Sequence, residues 1–444
     1  MSAKKVNVKL LGFLVLRQFP NLQAQFDKVE HLDFAPDDCN HHLFFENYKF
    51  RKLRTIKLAF SGHNNDYTLL PYIQPALEKF HFHGGPISDR TLERLQTCPA
   101  LEELLIENPR FNCCTPEGFR RFIEATKSLR NLTIQCGMDH IVGNDVFRTL
   151  AKSSNLRALD FRLQITARLV DEALANRQEF SSNKQLFGEL KRLICIAHYQ
   201  GITRLLSHLP KLTHLEVSIN GADHPETMGR DLFPELLKLR LQLRVLKIEY
   251  LCGYPIQIDP IMMRDFVREG GWNMERLEVS GKMVEGTGFT RPVLDILQSA
   301  GNLRFLRLSM KCDLTEVALR AAAAFGGRRL IELDIGGTYD FDKLLRMFST
   351  KKFTFGEQFK FLGIGKLIVP PFDLNIEELE PKADEFARLV KAIAPSIEDF
   401  NVLDPDKFTD MVEKVLIDIF AETGWKQDLY DSDGPNIAVG PGNL

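Results

Sequence analysis

The segment Ile87-Ser88-Asp89-Arg90-Thr91-Leu92-Glu93-Arg94-Leu95-Gln96-Thr97-Cys98-Pro99-Ala100-Leu101-Glu102-Glu103-Leu104-Leu105-Ile106 carries two apolar periods back to back. Leu92 and Leu95, three apart, share one side of a helix. Leu101, Leu104 and Ile106 then form Leu-x-x-Leu-x-Leu, whose last two members have the two-residue spacing of side chains on one face of a strand. The same triplet stands 24 residues earlier at Leu77, Phe80 and Phe82, 24 before that at Leu53, Ile56 and Leu58, and 24 before that at Val29, Leu32 and Phe34.

Downstream, the triplet recurs from Leu129, Leu156, Leu190, Leu212, Leu243, Met274, Leu303 and Leu330, and less cleanly from Phe359 and Ile397, about 14 copies in all. Intervals vary from about 22 to 38 residues and carry apolar residues at helical spacing, as at Phe119, Phe122 and Ile123, or Val293, Leu294 and Leu297. Each copy is thus a short strand followed by a helix and the next parallel strand. Helices are bulkier than strands, so stacked units curve. The expected fold is an α/β leucine-rich-repeat solenoid, a horseshoe with a curved parallel sheet on its concave face and helices on its convex face. A doubly wound α/β protein also alternates strands and helices, but its strands would not repeat one six-residue signature.

This reading divides the chain into an N-terminal capping segment, 1–28, irregular repeats over 29–403, a closing helix within 404–427 centred on Lys407 to Glu422, and a tail, 428–444, expected to be disordered. Three stretches depart from the repeat: 164–189, with a helix candidate at Ala167 to Ala175, and loops at 221–230 and 250–259. Loops of this size on a solenoid are frequent sites of function and equally often tolerated insertions.

The 444 residues hold 57 basic and 59 acidic side chains, a formal charge of -2, so no overall field favours nucleic acid or an anionic membrane. No segment approaches the roughly 20 apolar residues of a membrane span. The eight cysteines are scattered, which suits a reducing compartment, and the cytoplasm or nucleus is the expected location. Lys4, Lys5 and the run Leu10 to Leu16 superficially resemble a signal peptide, but Lys9 interrupts and Arg17-Gln18-Phe19-Pro20 offers no small-residue cleavage site.

Cys39 with His41 and His42, and His81 with His83, match no metal-ligand spacing, and neither a metal nor a cofactor is expected. No nucleophile motif or Walker loop appears, and Gly281 to Gly288 and Gly336-Gly337 read as turns, so no catalytic residues are expected. The informative set lies between the last two apolar positions of each repeat and must face the concave side. It runs Asp33, Lys57, His81, Leu105, Thr133, Asp160, Ile194, Glu216, Lys247, Glu278, Arg307, Asp334, Gly363 and Asn401. Nucleic acid would call for a basic stripe with aromatics. The mixed signs suit a protein surface, and Lys57, His81, Asp160, Glu216, Lys247, Glu278, Arg307 and Asp334 are the candidate partner-binding residues. Read as exposed charges, Lys247, Glu278 and Arg307 are expected to be reversible together without loss of stability. About 14 strands at roughly 4.8 Å give an inner arc on the order of 65 Å, the size of a folded partner or long peptide.

Ile87-Ser88-Asp89-x-x-Leu92-x-x-Leu95-x-x-Cys98-Pro99-x-Leu101-x-x-Leu104, and more loosely Leu314-Thr315-Glu316-x-x-Leu319 through Leu330-x-x-Leu333-x-Ile335, resembles the repeats of F-box proteins within the ribonuclease-inhibitor-like superfamily. The irregular spacing is similar to that of many fungal members. The resemblance implies a substrate-recognition subunit of a Skp1-cullin-F-box ubiquitin ligase. An F-box, a helical module of roughly 40 residues, would precede the repeats, yet here repeats begin by Val29. A stand-alone adaptor or inhibitor is the alternative, and a Ran-type GTPase-activating solenoid a further one, for which Asp428, Asp431 and Asp433 make too weak an acidic tail. In each case the chain is expected to act as a monomer.

Overall fold

Backbone N–H groups at the start of each strand pair with a single carbonyl of the strand before it. Glu78 and Lys79 both donate to the Arg54 carbonyl, at 2.8 and 2.9 Å, and Glu102 and Glu103 both donate to that of Glu78, at 2.8 and 3.1 Å. The pattern recurs at each step from Arg54 and Thr55 on Glu30 to Arg304 and Phe305 on Glu275. It sets the register of the sheet in this computed structural model, which describes residues 5–7, 21–34, 48–59, 66–109, 112–135, 138–174, 186–221, 232–238, 243–251, 258–270, 273–281, 290–312, 315–326, 329–350, 354–369, 376–402 and 407–422. The chain forms two units, 1–313 and 314–444.

The first unit carries β1 (Lys5–Asn7), β2 (His31–Asp33), β3 (Thr55–Ala59), β4 (Lys79–His83), β5 (Ile87–Ser88), β6 (Glu103–Glu107), β7 (Asn112–Cys113), β8 (Asn131–Ile134), β9 (Ala158–Ile165), β10 (Arg192–His198), β11 (His214–Gly221), β12 (Val245–Tyr250), β13 (Arg276–Gly281) and β14 (Phe305–Cys312). All but β5 and β7, which pair with each other, lie side by side in chain order. Every pairing is parallel and brings the second apolar positions into one row, Leu32, Ile56, Phe80, Leu104, Leu132, Leu159, Leu193, Leu215, Leu246, Leu277 and Leu306. All are buried. Each contributes about 1.5–3 kcal/mol by leaving water, so a strand too short to be stable alone is held by its side chains.

The intervening helices include Asp89–Leu95, Pro116–Ala125, Asn144–Lys152, Tyr199–Leu206 and Thr290–Ser299. Pro116–Ala125 shows how the sequence starts one: the Thr115 hydroxyl accepts from the Gly118 N–H at 2.9 Å, and Pro116 occupies the first turn, where an N–H is not needed. Phe119, Phe122 and Ile123 then bury one stripe. Between β3 and β4 the described residues of the connection form a 3-10 turn, Asp66–Tyr72.

The second unit has three parallel strands, β15 (Glu332–Asp340), β16 (Phe361–Ile368) and β17 (Asp399–Val402), with Leu333, Leu362 and Phe400 aligned and buried. Helices cover Thr315–Ala321, Phe341–Ser349, Ile376–Ile393 and Lys407–Glu422. Phe341 packs against Phe386 and Phe408 at ring distances of 5.5 and 5.0 Å.

Several sequence expectations need correction or completion. The sheet begins before Val29, because the backbone of β1 pairs with β2 without a recognisable triplet. Gly336 and Gly337 are not a turn: they lie inside β15 as a bulge between Ile335 and Thr338, with Gly337 at φ 128°. Gln164 belongs to β9, where the register slips so that Phe161 pairs with Cys195 and Gln164 with Ile196. The helix expected there covers Ala167–Leu174. The remainder of that stretch to 185, the loops at 222–230 and 252–257, the residues from Cys39 to His42, those at 282–288 and the tail at 428–444 lie outside the described residues. No helix among the described residues is long and apolar enough to cross a membrane.

Candidate functional site

Alternation places every second strand residue on the sheet face turned away from the leucine core. In the first unit this open face has one row running Asp33, Lys57, His81, Leu105, Thr133, Asp160, Ile194, Glu216, Lys247, Glu278 and Arg307, each the register partner of the next. Seven of the eight candidate residues therefore stand in one line. The eighth, Asp334, belongs to the second unit, aligned with Gly363 and Asn401.

A second row, two residues earlier in each strand, was overlooked in the sequence and supplies most of the partners. It runs Thr55, Lys79, Glu103, Asn131, Ala158, Arg192, His214, Val245, Arg276 and Phe305. The period of two that marks the first row points to these positions as well.

Three charge clusters bridge the rows. In the first, Glu103 accepts from Lys79 Nζ at 2.9 Å and meets His81 Nε2 at 2.6 Å. Burial pushes the Glu103 carboxyl up, but the hydrogen bonds from Lys79 and His81 outweigh it and hold the group below the usual carboxylate range. In the second, His214 Nε2 lies 2.6 Å from Glu216 Oε1, with Arg192 at 3.6 Å. The His214 hydrogen bond holds Glu216 low against its own burial. In the third, Glu278 lies between Arg276 at 2.7 Å and Lys247 at 3.7 Å, and the Arg276 guanidinium covers the Phe305 ring at 3.8 Å.

The expectation of uniformly exposed charges fails at two positions. Glu278 and Asp334 are each only 4% exposed. Glu278 is covered by the two longer cations that hold it. Asp334 lies over Gly363, where an added Cβ would fall 2.6 Å from its Cγ. Lys57 is exposed, whereas His81, Asp160, Glu216, Lys247 and Arg307 are half-buried.

Between the first two clusters the face dips into a hollow of about 270 Å³ lined by Glu103, Asn131, Thr133, Ala158, Asp160, Arg192 and Ile194. Asn131, Thr133 and Ala158 are shorter than their flanking neighbours, which opens the space. Burial raises the Asp160 carboxyl above its ordinary value, against the attraction of Arg162 and Arg192. His81 and His83 alternate with the buried Phe80 and Phe82, as the strand requires. No group of three or more metal-ligating side chains occurs among the described residues.

One strand per repeat, paired in parallel within each unit with the repeat's apolar positions aligned, decides the architecture. The fold is the leucine-rich-repeat solenoid. No protein-family model matches the chain, and no curated protein matches its sequence. Solved structures similar to it include an internalin from Listeria monocytogenes, 12% identical over 90% of this chain and 91% of that one, with a TM-score of 0.36. A chain of the Rad7 and Elc1 complex in yeast is 13% identical over 82% of this chain and 78% of its own, TM-score 0.42. A chain of the plant peptide hormone receptor RGFR1 in complex with RGF2 is 12% identical over 90% and 75%, TM-score 0.36. Likenesses this distant bear on neither partner nor activity, so the function has to be argued from the open face of the leucine-rich-repeat sheet.

Proposed function

We propose that the chain is a protein-binding scaffold, without catalytic activity of its own, that engages its partner through the open face of the first unit's sheet. The carrying observation is the cross-strand charge network: Lys79, His81 and Glu103, then Arg192, His214 and Glu216, then Lys247, Arg276 and Glu278. Side chains held by one another have already lost most of their rotamer freedom, so a partner orders little on docking. Charges of both signs are interleaved along the row, which favours a complementary protein surface over a polyanion. We place the protein in the cytoplasm or nucleus as a monomer.

The ubiquitin-linked role implied by the F-box-like repeats is the finer form of this reading, and a stand-alone adaptor or inhibitor its competitor. A tagged full chain, purified from its own cells beside a Lys57→Glu, Arg192→Glu, Lys247→Glu variant, tests both. The expected result is one stoichiometric partner present with the parent and lost with the variant, which stays folded by circular dichroism although the new carboxylates beside Glu216 and Glu278 lower its thermal midpoint. Equal recovery of every partner by a folded variant overturns the proposal. Co-recovery of Skp1 and a cullin selects the ligase role; their absence beside one abundant partner selects the adaptor.

A further inference from the structure

We infer that the hollow between β6 and β10 is a subsite for a neutral carboxamide, the side chain of an asparagine or glutamine, presented by the protein partner. The inference rests on the reading of the open face given above and adds the chemistry that the face selects.

Three polar groups line the hollow with bonding capacity unused. Asn131 and Thr133 make no side-chain hydrogen bond among the described residues. Asp160 Oδ1 is buried without a hydrogen bond, its nearest cation being Arg162 Nε at 3.5 Å. A buried carboxylate oxygen held only by a long ion pair lacks a hydrogen bond, so a ligand that donates one to it supplies what the free protein lacks. The charged rim residues, by contrast, are engaged away from the hollow. Glu103 is held by Lys79 and His81 on β4, and Arg192 pairs with Glu216 on β11.

Charge then selects among ligands of this size. Around the hollow stand Glu103, Asp160 and Glu216 against Lys79, Arg162 and Arg192, with His81 and His214 beside them. A cation entering would be opposed by the field of Arg162 and Arg192, and an anion by that of Asp160, Glu103 and Glu216. A carboxamide carries no charge, donates its two N–H groups to Asp160 and Thr133, and accepts through its oxygen from the Asn131 side-chain amide. The volume of about 270 Å³ admits a side chain and excludes a folded element.

The test uses the full chain, methyl-labelled, and titrates N-acetylglutamine N-methylamide, with the corresponding arginine and glutamate amides as competitors. We expect the glutamine probe to shift the Ala158, Thr133 and Ile194 methyl signals with millimolar affinity, and the arginine and glutamate probes to bind more weakly. Thr133→Val keeps the shape and removes a hydroxyl, and should weaken the glutamine probe about 2- to 10-fold. Ala158→Phe should fill the hollow and abolish the shifts. Absence of shifts at these methyls, or equal binding of the charged probes, overturns the inference. Partner capture with Ala158→Phe separates the two proposals. If capture survives filling of the hollow but not charge reversal, the subsite falls and the face stands. If it survives both, the face reading falls and the partner-presented subsite falls with it.

Discussion

Arg276 Nη1 donates to Glu278 Oε1 at 2.7 Å, and the carboxylate so held has a side chain only 5% exposed. Removing one member of such a pair leaves the other's charge without its partner. Glu278→Ala should therefore cost about 1–3 kcal/mol, less than a fully buried pair because the arginine side chain is 33% exposed. Glu278→Lys should cost more, since it sets a third cation between Arg276 and Lys247. Lys247→Ala, at the exposed end of the network, should cost under about 1 kcal/mol. Urea unfolding of the three variants checks the order, and a Glu278→Lys protein as stable as the parent would refute it.

That contrast shows where the sequence is silent. The triplet Leu243, Leu246 and Ile248 announces a strand and its buried side, because core alternation is written in residue type. It does not announce which charges on the other side are covered. Glu278 and Lys57 occupy equivalent positions in their repeats, yet one is buried and the other exposed, because only Glu278 has two long cations, from β12 and its own strand, folded over it. Nor does it announce the bulge at Gly336 and Gly337, because the Gly365 that leaves room for it lies on the neighbouring strand. The hollow is legible only once Asn131, Thr133 and Ala158 are set in register, since each small residue alone is commonplace.

Leu246 and Leu306 occupy the aligned apolar row, fully buried or within 1% of it. Truncation to alanine at either should cost about 2–5 kcal/mol, lost transfer energy plus a cavity that parallel strands cannot collapse around. Leu251, just beyond β12, is 51% exposed, and its alanine variant should stay within about 0.5 kcal/mol of the parent. Equal effects at Leu246 and Leu251 would contradict the register.

Gly365 faces the bulge on the neighbouring strand. A Cβ there would lie 2.0 Å from the Gly337 carbonyl oxygen, a backbone atom that cannot swing aside as a side chain can. Gly365→Ala should force β15 and β16 apart and destabilise the second unit by about 1–3 kcal/mol or more. Amide hydrogen exchange at Leu362 to Leu367 reads the effect locally. Unchanged protection there would show that the bulge yields without cost.

Glu216 links stability to pH through His214. Its carboxyl lies below the ordinary value of 4.5, chiefly because of the His214 hydrogen bond. A carboxyl lowered in the folded state contributes stability that is fully present above the unfolded value and is lost as pH falls through the folded one. His214→Ala removes the main cause, so Glu216 should titrate closer to its ordinary value in the variant. The stability difference between parent and variant should then be largest above pH 4.5 and shrink on acidification as Glu216 becomes protonated in both. Denaturant midpoints measured from neutral pH down through the carboxylate range give the curve. A difference that stays constant, or grows as pH falls, would mean that His214 acts by packing alone and not by holding the Glu216 charge.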